Sequence, residues 1–343
     1  MAAISSARAP RRNPRRPGET RPLRSFEGPM TLPFQEAPGV HRVDLMWMGL
    51  PGQVAAYLVD GGDDLAVIES GPGSTLDAVL DAVRALGREP ADVTHALVTH
   101  VHLDHAGGAG ALLAHAPRAK VYVHPRGARH LADPSRLLAS AKLLYGDRMD
   151  ELWGEMVPVA SDRLVVLQDG DEVLVGSRRL RAIDTPGHAS HHHAYHDPDA
   201  GLVFTGDVGG IRLAHAPYVC APTPPPDIDL DAWRRSLDRL RALDPSMLLP
   251  THFGGISDAA WHLDDLSSRL DGWARWTEEQ MAAGLDSDAL ARAMHNRATA
   301  DIVAATGSVE VAKAYETAVP YPMMAAGLAR WFAVRARPAA EGG

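Results

Sequence analysis

The segment Thr99-His100-Val101-His102-Leu103-Asp104-His105-Ala106-Gly107-Gly108 packs three imidazoles and a carboxylate into six residues, directly after the apolar run at 96–98. Folding alone gives no reason for that density. If the chain stays extended past the run, the two-residue period of a strand sends His100, His102 and Asp104 to one side and Val101 and Leu103 to the other. His105 then opens a helix through residue 113 that turns back toward the same space, with Gly107 and Gly108 allowing close backbone packing at the turn. Imidazole and carboxylate are ligands that suit zinc, iron and manganese.

The same context recurs further along. Thr185-Pro186-Gly187-His188 follows an apolar run at 180–183, Thr205-Gly206-Asp207 follows one at 202–204, and Thr251-His252 follows one at 247–249. Four strand ends thus supply His100, His102, Asp104, His105, His188, Asp207 and His252, enough donors for two adjacent metal sites. Strand ends converge on one rim of a sheet, where α/β proteins place their sites.

Between about residues 39 and 250, short apolar or β-branched runs alternate with helical patterns, which predicts an α/β fold. Strands are expected at 55–59, 65–69, 96–98, 121–123, 164–167, 180–183, 202–204 and 247–249. Ser74 reads as the N-cap of a helix through residue 86, and a further helix is expected over 229–243. Beyond residue 255 only helical periodicity remains, with Leu263, Leu266, Leu270, Trp273 and Thr277 at three- and four-residue steps. The chain therefore divides into a tail at 1–26, a catalytic domain at 31–256 and an all-helical C-terminal extension at 257–343, the last offering a lid or a homodimer face.

The motif His-x-His-x-Asp-His, with a distal Gly-His, a Gly-Asp and a terminal Thr-His, resembles the metal motifs of the metallo-β-lactamase superfamily over roughly residues 40–255. The resemblance implies an αβ/βα four-layer sandwich with its metals in a groove at the sandwich edge. It implies that His100, His102 and His188 hold one ion, that Asp104, His105 and His252 hold the other, and that Asp207 bridges them. Two divalent ions are expected, zinc first, with iron or manganese as substitutes. The implied activity is a hydrolase that uses a metal-bound hydroxide to cleave a thioester, ester or lactone of a small molecule, with Asp104 as proton shuttle and catalytic residue. One departure stands out: Glu69-Ser70-Gly71 occupies the place where the superfamily often shows Asp-Thr-Gly.

Within the superfamily, the commonest β-lactamases place cysteine where Asp207 stands, and the single cysteine here is Cys220. Acyl-homoserine lactonases tend to carry a tyrosine about three residues past the bridging aspartate, where this chain has Gly210, although Tyr218 could approach from the same loop. The helical extension resembles the glyoxalase-II-like group of hydrolases. Two other activities stay open: a mononuclear-iron persulfide dioxygenase, using residues matching His100, His188 and Asp207, and a nuclease of the RNase Z kind. The proline-rich loop at 208–228 is expected to border the substrate, with Arg212, His215 and Tyr218 as contacts. His191, His192, His193 and His196 follow His188 closely enough for one of them to support a ligand from behind.

Composition narrows the partners. The chain has a net charge of −9, yet residues 1–26 hold seven arginines against the single acid Glu19, so the catalytic region is more acidic still. No nucleic-acid partner is expected of such a body, because phosphate binding needs clustered Lys and Arg. One cysteine rules out an intramolecular disulfide, which fits the cytoplasm. No run of about 20 apolar residues occurs, so no membrane span is expected. The Arg/Pro-rich tail lacks the apolar stretch of a secretory signal and is expected to be disordered.

Overall fold

Successive residues along the central strands are apolar on both faces, as a sheet covered on both sides requires. The computed structural model describes residues 32–336, and the tail at 1–26 lies outside them. β1 (Phe34–Ala37), β2 (Val40–Asp44), β3 (Ala55–Asp60), β4 (Leu65–Ile68), β5 (Val93–Leu97), β6 (Lys120–Val123) and β7 (Leu164–Val166) form a seven-stranded sheet in that order. Its first four strands pair antiparallel and the rest parallel. β8 (Glu172–Val175), β9 (Arg178–Asp184), β10 (His193–Asp197), β11 (Leu202–Phe204) and β12 (Met247–Leu249) form a second sheet in the order β12-β11-β10-β9-β8.

Three apolar clusters define four layers. Tyr57, Val59, Ile68 and Leu97 of the first sheet meet Leu180, Ala182, Tyr195 and Phe204 of the second between the sheets. On the outer face of the first sheet pack α1 (Leu76–Ala85), α2 (Leu103–Ala106), α3 (Ala109–His115), α4 (Pro125–Ala132), α5 (Ser135–Tyr145) and α6 (Met149–Leu152). On the outer face of the second sheet pack α7 (Leu230–Ala242), α8 (Ala259–Ala282), α9 (Ser287–Thr306), α10 (Val309–Ala318) and α11 (Tyr321–Arg335). The fold is the expected αβ/βα sandwich, with the C-terminal region helical.

The periodic stripe of α8 is buried as its spacing predicts, with Leu263, Leu266, Leu270 and Thr277 at 1% exposure or less. Leu263, Leu266 and Leu270 share one cluster with Ile183 and Val203 of the second sheet, so the C-terminal helices join α7 in covering that sheet's outer face. Polar ties reinforce the packing. Tyr315 Oη accepts from the Leu213 amide (3.0 Å) and donates to the Tyr218 carbonyl (2.7 Å), and the His262 ring donates through Nε2 to the Gly209 carbonyl (2.6 Å).

Three local expectations need correction. Ser74 does not cap α1: its hydroxyl donates to the Leu152 carbonyl (2.9 Å), and the helix begins at Leu76 after a 3₁₀ turn. The chain does not remain extended to Asp104, because His102 ends the extended stretch and Leu103–Ala106 form the short helix α2. Strands β1, β2, β8 and β10 go unannounced, since each interleaves polar or charged residues with its apolar ones.

Candidate metal centre

All seven predicted donors lie on one rim of the sandwich, each just beyond the end of a strand. His100 and His102 leave β5, and α2 then turns Asp104 and His105 toward the same point. His188 follows β9, Asp207 follows β11 and His252 follows β12. Gly206 has a left-handed φ of 51°, and a Cβ there would sit 2.5 Å from Thr99 Oγ1 and 2.7 Å from His192 Nε2. Only glycine lets the Asp207 turn seat this closely against the β5 end.

The donors fall into two groups. In the first, His102 Nδ1 lies 2.9 Å from His100 Nε2 and 3.0 Å from His188 Nε2. In the second, His105 Nε2 and His252 Nε2 lie 3.5 and 3.4 Å from Asp104 Oδ2. Asp207 faces both, with Oδ1 at 3.3 Å from His105 Nε2 and 3.4 Å from His252 Nε2, and Oδ2 at 3.3 Å from His188 Nε2. The groups His100–His102–His188 and Asp104–His105–His252 each bring their donor atoms within 4.8 Å of one another.

The outer ring nitrogens show what the inner ones are for. His188 Nδ1 donates to the Pro222 carbonyl (2.9 Å), His252 Nδ1 to the Gln53 carbonyl (2.7 Å) and His105 Nδ1 to Glu69 Oε1 (3.0 Å). A ring whose Nδ1 carries the donated proton presents a lone pair at Nε2, the arrangement of a metal-ligating histidine. His105 Nε2 and Asp207 Oδ1 are buried and have no hydrogen-bond partner among the described residues. Orphaned buried atoms are costly, and a divalent cation between the two groups would satisfy them, so the residues present fit a metal pair.

Charge tells the same story. Burial, followed by the neighbouring histidines, pushes His100 well below its usual range, and burial with His188 takes His102 down to about 3. Both rings are neutral and able to ligate. Burial works against charge on His105 and His252, but Asp104 and Asp207 outweigh it and raise both pKa values. Those same histidines hold Asp104 and Asp207 below the usual carboxylate range against the opposing effect of burial. The two carboxylates thus call for positive charge at the second group.

Glu69 answers the departure from Asp-Thr-Gly. It is 1% exposed, with φ at 63°, and its Oε1 accepts from His105 Nδ1, from Thr99 Oγ1 at 2.5 Å and from Thr251 Oγ1 at 3.1 Å. Thr99 Oγ1 in turn lies 3.0 Å from His100 Nδ1. One carboxylate therefore braces a histidine of each group. Glu69→Gln keeps the shape but weakens these bonds, and metal affinity is expected to fall by about 10–100-fold, measured by competition with a chromophoric chelator. Unchanged affinity would remove Glu69 from this role.

Of the four histidines after His188, His192 is the brace: its Nδ1 lies 2.9 Å from Thr185 Oγ1, and its Nε2 accepts from the Val208 amide (3.4 Å), steadying the turn that carries Asp207. His193 faces the other way, beside His124 and Asp184. That trio reads as a hydrogen-bonded pair with a neighbour. His124 Nδ1 accepts from the Arg126 amide (3.0 Å), which leaves the proton on Nε2 for Asp184 Oδ1 (3.1 Å).

The expected substrate contacts from the 208–228 loop are not found in the cavity over the site. Arg212 pairs with Asp258 (2.7 Å) and covers Trp261, Tyr218 is buried against Tyr315 and Arg269, and His215 is exposed. The loop contributes Ile211, Pro222 and Pro224–Pro226 instead. Trp47, Tyr145 and Trp153, with Val319 from the turn after α10 and Met323 from α11, complete the wall. No motif marks them, because apolar wall residues look like core in a sequence.

Residues 49–252 match the metallo-beta-lactamase superfamily. The chain is 28% identical over 224 residues to a metallo-beta-lactamase fold-containing protein of Sulfurisphaera tokodaii, covering 64% of this chain and 80% of that one. It is 28% identical over 200 residues to thioesterase pkgB of Emericella nidulans, covering 58% of this chain and 46% of the fungal protein, so it spans about half that relative's length. The crystal structure of a metallo-beta-lactamase family protein from Thermus thermophilus superposes with a TM-score of 0.57 at 25% identity, covering 70% of this chain and 82% of that one. With this match over more than half its length, on a four-layer sandwich whose rim gathers five histidines and two aspartates, the chain belongs to the metallo-beta-lactamase superfamily of hydrolases.

Proposed function

We propose that the protein hydrolyses a thioester, with esters and lactones as related substrates, at a dinuclear centre held by His100, His102 and His188 on one side and Asp104, His105 and His252 on the other, with Asp207 shared. The observation that carries this reading is the pair of donor groups joined by Asp207 at the floor of a cavity. Its similarity to a fungal thioesterase favours the thioester, and the resemblance of the chain with its helical extension to the glyoxalase-II-like group supports the same reading. Divalent cations supply Lewis acidity in such a site, making water nucleophilic near neutral pH and polarising a carbonyl.

The chain's own residues direct the proton. Water adds to the carbonyl carbon, the C–S or C–O bond breaks, and the leaving group needs the proton that water loses. Asp104 is placed to carry it. Its Oδ2 faces the Nε2 atoms of His105 and His252 at 3.5 and 3.4 Å, which leaves Oδ1, and at 22% side-chain exposure it is more open than Asp207 at 6%. Its depressed pKa keeps it ionised and able to accept.

Elemental analysis of protein made without added metal, with His100→Ala as control, tests the reading. About two zinc or manganese ions per chain, together with turnover on a thioester, ester and lactone panel, are expected. A single iron lost in the control would overturn the dinuclear hydrolase and favour persulfide oxidation.

A further inference from the structure

The cavity above the centre has a volume of about 160 Å³, and its composition is lopsided. Apart from the candidate ligands at its floor, no Lys, Arg, Asp or Glu among the described residues lines it. One wall is aromatic: Trp47 and Trp153 stack with ring centroids 5.3 Å apart, and Tyr145 meets Trp153 edge-on at 5.0 Å. Trp47 spends its Nε1–H on the Leu152 carbonyl (2.8 Å), so its ring offers only carbon to the cavity. Val319 and Met323 also line it, and the Tyr145 hydroxyl is turned to the Met323 sulfur, at 3.8 Å.

A carboxylate or phosphate buried in this space would find no counter-charge in the wall, and an uncompensated buried charge costs far more than binding can return. Apolar groups meet no such obstacle. Cavities of about 150 Å³ lined by apolar side chains hold one benzene ring, about six carbons.

Resting on the hydrolase reading above, we propose that this cavity takes the acyl part of the substrate as an uncharged, apolar chain of about six carbons. Charged portions of the leaving group then lie outside, at the mouth. The proposal sets this site apart from one built around a small or anionic acyl group.

The test uses the metal-loaded, full-length protein and thioesters of one neutral thiol, N-acetylcysteamine, carrying acetyl, butanoyl, hexanoyl, octanoyl and adipoyl groups. From acetyl to hexanoyl, kcat/KM is expected to rise about three- to fourfold per methylene and then level off. Adipoyl, which places a carboxylate at the end of the same chain, should fall back to the acetyl value or below. Ala141→Phe should move the plateau to fewer carbons, and Leu137→Ala to more, so the reading survives if one variant fails to fold.

A flat series, or adipoyl as good as hexanoyl, would overturn the acyl assignment and leave thioester hydrolysis intact. The converse is read by binding. Saturable quenching of Trp47 and Trp153 fluorescence by hexanamide, in a protein that cleaves none of the thioesters, would keep the cavity assignment and overturn the hydrolase. No saturable quenching and no cleavage would overturn both.

Discussion

Asp207→Ala is expected to lower kcat/KM by about a thousandfold and to release at least one metal ion per chain. Asp207 is the side chain whose two carboxylate oxygens face both donor groups, Oδ2 toward His188 and Oδ1 toward His105 and His252. Removing it leaves Asp104 to face the Nε2 atoms of those last two histidines without help. Losing one partner of a buried charge arrangement costs about 3–5 kcal/mol, or about two to four decades of rate if felt in the transition state. Asp207→Asn keeps the shape and should retain more metal than alanine, because one amide oxygen can still face a cation. Elemental analysis and kcat/KM on the same samples check this, and an alanine variant with full metal and full activity would remove Asp207 from the bridging position.

Ending the chain after Asp271 should cost the protein its fold. The truncation deletes Trp273, Leu290, Met294, Ile302, Tyr315 and Leu328 from the cluster that covers the second sheet, exposing Leu263, Leu266 and Leu270. Burying each such side chain contributes about 1.5–3 kcal/mol, and a whole domain holds only about 5–15 kcal/mol in reserve. It also removes the Tyr315 hydroxyl that ties Leu213 to Tyr218. Aggregated or molten material is expected by size exclusion and near-UV circular dichroism. An unchanged, active, monomeric truncation product would show that the last helices are not part of the core and serve as neither a lid nor a dimer face.

Much of this was legible in the chain itself, for reasons that separate cleanly. The metal-type donors stood out because polar, chemically costly residues directly after apolar runs have no role in packing. α8 was readable because Leu263, Leu266 and Leu270 repeat at a helical step. β10 was not, since His193-Ala194-Tyr195-His196-Asp197 looks like a polar loop; it is a strand whose Ala194 and Tyr195 pack into the apolar clusters on opposite faces of the second sheet while His193 meets the His124–Asp184 pair. Asp104 was expected on an extended strand and arrives by a helical turn, a difference that leaves its destination unchanged. The expected substrate contacts failed for a different reason. Arg212 and Tyr218 looked free to meet a ligand because their partners Asp258, Arg269 and Tyr315 lie far along the chain.

Part of the cavity wall has a different origin from its floor. The floor comes from strand ends inside the stretch shared with the superfamily, whereas Val319 and Pro320 come from the turn between α10 and α11 and Met323 from the start of α11, well beyond residue 252. One part of the wall is thus written outside the stretch that carries the donors and can vary independently of them. Drift in the α10–α11 turn can reshape what the cavity admits while every donor at the rim stays fixed, so a lineage of such proteins can change what it takes up without rebuilding its metal-type donors.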